Sequence, residues 1–359
     1  MTLIYFLIIL AVIIFIHELG HMLAAKLFGC YVTEFALGFG PTILKKQGKE
    51  TVYSLRAVPL GGFTGMVEKE NTPTKFDENG NPIEFLTVPK ERTLYGIDTW
   101  KRIIIFLAGP FMNLLLACVV FIMVFQINGY IVESPKPIIA TVTENSPAQA
   151  AGMLAGDEIV KVTLKNGDSI QPETFQDVVT KISNYSDEIT FTVNRNGQNI
   201  DIRVTPKYDE ELKRSIIGIT SIDPEIRELN FFSAIPVGIQ YAFMAIEMTF
   251  TAIVGLFTGS TGLDSLGGTI SMYKYTEEAA SYGFVSLLSL VGSLSISVGI
   301  MNLIPISIFD GGRVVQAIVE KIIGHRLSEK AETFLTIAGL AVVVLLFLFV
   351  TYQDIIKLF

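Results

Sequence analysis

Of 359 residues only three are histidine, and two of those stand four apart in His17-Glu18-Leu19-Gly20-His21. On a helix this spacing projects both imidazoles from one face, where they can chelate a single metal ion. Glu18 then lies about 100° around, close enough to orient and deprotonate a water at that metal. Mere packing is a poor account of the cluster, because each ionisable group inside an apolar run costs about 2.5 kcal/mol or more. Two imidazoles leave a catalytic zinc one protein ligand short, so a third must come from elsewhere. His325 stands beside Arg326 in a basic stretch and reads as a solvated surface residue. Asp310 is better placed: it ends an apolar run, Gly311 and Gly312 permit close backbone approach, and Pro305 breaks the helix before it. The same aspartate would also serve as N-cap of a helix over residues 311–323. Asn113 and Asn302 are amides inside apolar runs and need partners there, either a substrate backbone or a neighbouring helix.

These residues require a membrane to position them. Half of the chain is hydrophobic and only 17% is charged, against roughly 25% in an average soluble domain. Four apolar stretches are long enough to cross about 30 Å of hydrocarbon. They predict transmembrane helices at residues 1–25, 103–126, 286–310 and 333–352, the first carrying the histidine pair. A cleavable signal peptide fits the first stretch less well, since no basic segment precedes it and no small-residue cleavage site follows directly. The 26–102 loop carries Lys45, Lys46, Lys49, Arg56, Lys69, Arg92, Lys101 and Arg102, whereas residues 130–230 are dominated by Asp and Glu. The positive-inside tendency puts the first on the cytoplasmic side of a cell membrane, and the second, with both termini, outside. Residues 231–258 are apolar but carry Pro236, Gln240 and Glu247. They are expected to form an amphipathic helix resting on the outer leaflet, with a helical hairpin as the alternative. A net charge of −8 leaves no basic stripe for phosphate backbones, so nucleic acid is excluded as a partner. Cys30 and Cys118 lack metal-ligand spacing and read as small fillers of helices.

Residues 130–220 predict one inserted α+β domain. Short β-branched runs stand at 138–142 and 158–162, helical spacing at 172–182, and a hairpin at 189–205 around Asn196-Gly197, a pair that accepts the positive φ of a tight turn.

The chain resembles the site-2 protease family of intramembrane zinc proteases, in its PDZ-bearing, RseP-like bacterial branch. The matching elements are His17-Glu18-x-x-His21, Gly109-Pro110-x-x-Asn113, Asn302-Leu-Ile-Pro305 followed by Asp310-Gly311, and the loop motifs Gly38-Phe39-Gly40 and Leu60-Gly61-Gly62-Phe63. Ser307 departs from the pattern, which usually has a second proline there. The stretch from Asn145-Ser-Pro-Ala to Gly156-Asp157 is similar to bacterial PDZ domains. The resemblance implies a polytopic α-helical membrane protein with a membrane-associated β-loop region and an extracytoplasmic PDZ-like insert. It implies Zn2+ on His17, His21 and Asp310, Glu18 as general base, and substrate contacts from Asn302, Asn113, Gly61, Gly62 and Phe63. Substrates would be single-pass membrane proteins already trimmed by another protease, such as anti-sigma factors, or remnant signal peptides. A silent membrane PDZ scaffold or a metal transporter are the rival readings.

Overall fold

The computed structural model describes residues 1–76, 82–210, 212–262 and 267–356. In chain order α1 (Thr2–Leu27) leads into strands β1 (Val32–Gln47), β2 (Val52–Met66), β3 (Asn71–Phe76) and β4 (Pro82–Thr87), then α2 (Thr99–Asn128). The insert follows with β5 (Tyr130–Val132), β6 (Ile139–Val142), α3 (Pro147–Ala150), β7 (Glu158–Leu164), β8 (Ser169–Ile170), α4 (Phe175–Ile182), β9 (Ile189–Arg195), β10 (Gln198–Val204), β11 (Lys207–Asp209), β12 (Arg214–Ile216), β13 (Ile219–Ser221) and β14 (Ile226–Glu228). The chain then forms α5 (Ala234–Thr258), α6 (Thr269–Tyr282), α7 (Phe284–Asn302), α8 (Asp310–Ile323) and α9 (Glu329–Ile356). Contacts divide it into two units, Gly129–Leu229 and the remainder.

Within the larger unit α2 is the axis. α1 and α7 both run antiparallel to it at very short range, because glycines stand at the crossings. A Cβ on Gly20 would meet the Ala108 carbonyl at 2.3 Å, and one on Gly299 would meet the Pro110 carbonyl at 3.2 Å. Small residues are what allow helix backbones to approach where no hydrophobic force drives them together. The outward faces of α1 and α9 are apolar, with Ile4, Ile8, Val12, Phe334, Leu345 and Phe347 all exposed. A continuous apolar exterior of this kind belongs in lipid, and the protein is a multi-pass membrane protein.

Among the described residues five helices, α1, α2, α5, α7 and α9, are long and apolar enough to cross, one more than the four expected spans. The extra one is α5, which packs along α2. Gly238 abuts Ile122 of α2, and Ile253, fifteen residues further on, packs against the cluster of Ala117, Phe121, Ala242, Ile296 and Ile300. Its polar Gln240 and Glu247 are exposed, so the face turned to α2 is the apolar one. The chain nevertheless returns to the end it left. The Gly268 and Ser271 amides donate to Asp354 near the C-terminus of α9, and Tyr273 packs edge-on against Phe6 near the start of α1.

β1 and β2 are each bent on themselves into a four-segment sheet. Residues 34–37 pair with 62–65 on one side and with 52–55 on the other, and 52–55 also pairs with 44–47. The bends fall at Gly38, Gly40 and Gly61, whose φ values of 91°, 83° and 117° exclude most side chains. Segment 62–65 is thereby left as an edge, running alongside α1.

The insert has a four-stranded sheet in the order β10-β9-β7-β8. It packs Ile159, Val162, Phe191 and Val193 against Val178 and Ile182 of α4. The hairpin forms as expected, with Asn196 and Gly197 at φ 54° and 83°. The helix expected from residue 172 begins three residues later, because Thr174 caps it: its hydroxyl accepts from the Asp177 amide, and the Asp177 carboxylate accepts from the Thr174 amide. The unit extends beyond residue 220 because β14 pairs with β5 and closes its base.

Candidate metal centre

α1 places His17 and His21 on one face, buried at 8% and 6% exposure. Their Nε2 atoms are 3.3 Å apart, and Oδ2 of Asp310 lies 3.1 Å from one and 3.2 Å from the other. One ligand atom from each residue falls within 4.8 Å of the others. An ion at about 2.0 to 2.2 Å from nitrogen and oxygen donors spans such a gap. Asp310 Oδ2 is buried close to both rings but receives no well-aligned hydrogen bond. A carboxylate oxygen sealed off without a donor is costly, and a cation between it and the imidazoles satisfies it. The donor set of two imidazoles and one carboxylate suits zinc and leaves a coordination position open.

Two other elements hold these ligands. The His21 Nδ1–H donates to the Ile105 carbonyl at 2.8 Å, which turns the Nε2 lone pair toward Asp310. Gly109 of α2 lies flush against both rings: a Cβ there would stand 2.3 Å from His21 Nε2 and 2.9 Å from His17 Cε1. Asp310 is the first residue of α8, whose cap is Phe309, so its side chain is not the N-cap that the sequence also allowed. Gly311 and Gly312 let the first turn press onto the preceding loop, where any Cβ would strike the Leu303 and Ile306 carbonyls at 2.2 Å. α8 is tied to α2 by a buried pair, with Arg102 donating to Glu320 at 2.8 Å.

Glu18 is held from the sheet edge. The Thr64 hydroxyl lies 3.0 Å from Glu18 Oε2 and also 3.0 Å from its carbonyl oxygen. Sequence reasoning missed Thr64, and nothing in its neighbourhood beyond the adjoining Gly61-Gly62-Phe63 could have marked it. Those three serve the sheet. Gly62 lets the edge reach α1, since a Cβ would be 3.2 Å from Glu18 Cγ, Gly61 makes the bend over Phe39, and Phe63 lies under the Arg56 guanidinium. His325 is exposed, its ring bonded to the Arg326 carbonyl, and stands outside the cluster. The Asn302 amide donates to the Val298 carbonyl of its own helix at 2.9 Å. Asn113 is wholly buried and touches His17 of the neighbouring helix, Nδ2 to Nδ1 at 3.2 Å.

The model of peptidase family M50 matches residues 5–346. Among curated proteins the chain is 30% identical to the regulator of sigma-W protease RasP of Bacillus subtilis, with 100% of this chain and 99% of that one covered. It is 32% identical to a putative zinc metalloprotease of Clostridium acetobutylicum, over 96% and 94%, and 29% identical to the probable protease eep of Enterococcus faecalis, over 100% and 99%. Among solved structures, the PDZ domain of an SdrC-like protein from Listeria monocytogenes covers 26% of the chain at 20% identity with a TM-score of 0.21, too low to carry an argument. The family match and the near full-length relatives agree with the motifs of α1, α2 and α8, and the chain belongs to peptidase family M50, the site-2 protease type of metalloendopeptidase.

Proposed function

We propose that the chain is a zinc-dependent intramembrane endopeptidase acting on transmembrane segments of single-pass membrane proteins. His17, His21 and Asp310 would hold the ion, and the observation that carries this is the buried, unbonded Asp310 Oδ2 set between two imidazole nitrogens. Bound zinc supplies Lewis acidity to a carbonyl and makes water more acidic. Glu18 takes the proton from the attacking water and delivers it to the departing amine, with the Thr64 hydroxyl fixing its carboxylate. A helical substrate shields its amides in hydrogen bonds, so cleavage needs a locally extended chain. The edge segment 62–65 beside Glu18 offers a backbone to which such a chain can add as a strand. A silent scaffold has no use for this arrangement, and the described residues show no repeated halves of the kind a transporter would have.

The basic 26–102 loop supports a cytoplasmic location for that loop, and the acidic 130–230 stretch an extracytoplasmic one. The contacts of the segment before and within α6 with the end of α9 and the start of α1 support four net crossings, with α5 beside α2 adding none. The insert has an apolar cavity of about 200 Å3 lined by Val178, Val179, Ile182, Leu212, Ile217 and Ile219. It suits the capture of an extended, pre-trimmed segment, as PDZ-like folds do.

Glu18→Gln tests the reading: it should keep zinc and lose roughly 10² to 10⁴ in cleavage rate of a model transmembrane peptide. Undiminished cleavage removes Glu18 from the mechanism.

A further inference from the structure

His17 is flanked by two buried acceptors that receive no well-aligned hydrogen bond. On its Nε2 side is Asp310 Oδ2, and on its Nδ1 side is Asn113, whose Oδ1 is also unbonded. Asn113 is fully enclosed, at 0% exposure, with Cβ 3.3 Å from where a Cβ on Gly299 would lie, and its backbone carbonyl accepts from the Ser295 hydroxyl at 2.8 Å. As the amide stands, its Nδ2–H donates to His17 Nδ1. That obliges His17 to carry its proton on Nε2, the nitrogen that faces Asp310, and a protonated nitrogen cannot bind a metal. Turning the amide by half a revolution changes both sides together. Oδ1 then accepts from Nδ1–H, and the Nε2 lone pair is freed toward Asp310. Among the described residues no other side chain is positioned to set this ring: His21 has the Ile105 carbonyl, which can only accept, whereas His17 faces a group that can do either.

We infer that Asn113 is a positioning residue for the metal site: its amide oxygen, turned toward His17 Nδ1–H, fixes the tautomer that lets His17 bind zinc. This rests on the zinc reading above and gives Asn113 a task other than substrate contact. The turn that frees the His17 Nε2 lone pair for the metal also gives Oδ1 a donor, so metal occupancy and amide orientation are coupled.

The test is zinc affinity of the full-length protein in detergent, measured by chelator competition, without any activity readout. Asn113→Leu keeps the bulk and removes the acceptor, and should weaken zinc binding about 10- to 100-fold. Asn113→Asp can only accept at His17 and should stay within about threefold of wild type, as carboxylate partners of metal-binding histidines do. Ser295→Ala, which disturbs the same helix contact and spares the amide, should leave affinity unchanged. If Asn113→Leu does not accumulate as folded protein, Asn113→Ala carries the same expectation. Equal weakening by Asn113→Asp and Asn113→Leu, or none by either, overturns the inference while the metal site stands. A wild type that binds no zinc, or a His17→Ala that binds it fully, overturns instead the reading on which it rests.

Discussion

The insert is held by a continuous apolar core running from Ile139 through Phe191 to Ile217. Around His17 the arrangement is nearly the reverse, with buried imidazoles, a carboxylate whose Oδ2 is buried, and a buried amide inside helices whose outer faces are apolar. The insert excludes water by filling space with methyl and phenyl groups. The metal centre does so by bringing backbones together at Gly20, Gly109 and Gly299, leaving room only for the polar groups themselves. A hydrophobic core tolerates modest volume change at a graded cost, whereas a polar cluster with fixed partners fails as a unit. Equivalent substitutions should therefore have unequal consequences in the two places.

The largest contrast is expected from adding one methyl group in each. Gly109→Ala drives a Cβ into both imidazoles and should lower zinc affinity on the order of 100-fold, by displacing the ligands themselves. Gly197→Ala puts a side chain on a left-handed residue of an exposed turn with nothing within 4 Å. It should cost the insert about 1 to 2 kcal/mol, seen as faster hydrogen exchange in β9 and β10, and leave zinc binding untouched. If Gly109→Ala binds zinc normally, the α1–α2 contact is looser than described and the contrast fails.

What the sequence revealed follows the same division. His17, Glu18 and His21 were legible because a helix repeat is local, and the Asn196-Gly197 hairpin for the same reason. Asp310 was legible as a residue type near a helix break, but only the packing of α8 against α2 through Arg102 and Glu320 carries it to the histidines. Thr64 and the Asn113–His17 contact join segments far apart in the chain, and no spacing rule reaches them. The packing of α5 was not legible, because Gln240 and Glu247 suggested a helix with a partner on neither face. Only the small and aromatic residues of α2, Ala117 and Phe121, reveal that its other face has a helix to pack on.

A smaller effect separates the two regions by pH. Burial pushes the Asp157 carboxyl up, but the Arg195 guanidinium and the Leu154 amide outweigh it and hold the group below the ordinary aspartate value of 3.8. A carboxyl depressed on folding contributes stability that is full above its unfolded value and is lost as pH falls through the folded one. The insert of the wild type should therefore loosen below about pH 4. Asp157→Asn should already be weaker at pH 7, by about 1 to 3 kcal/mol, and show a flatter acid dependence. Hydrogen exchange over residues 129–229, corrected for intrinsic rates, reads both, and an unchanged acid profile in Asp157→Asn removes this pair from the account.

The central claim is that the third ligand reaches His17 and His21 from the start of α8. Zinc content of purified Asp310→Ala and His325→Ala, measured side by side with wild type, tests it most directly. The account predicts a wild type and a His325→Ala each holding one equivalent, and an Asp310→Ala stripped of metal by a chelator that leaves wild type loaded, since two imidazoles alone hold zinc poorly. Full occupancy in Asp310→Ala, or loss in His325→Ala, would contradict it.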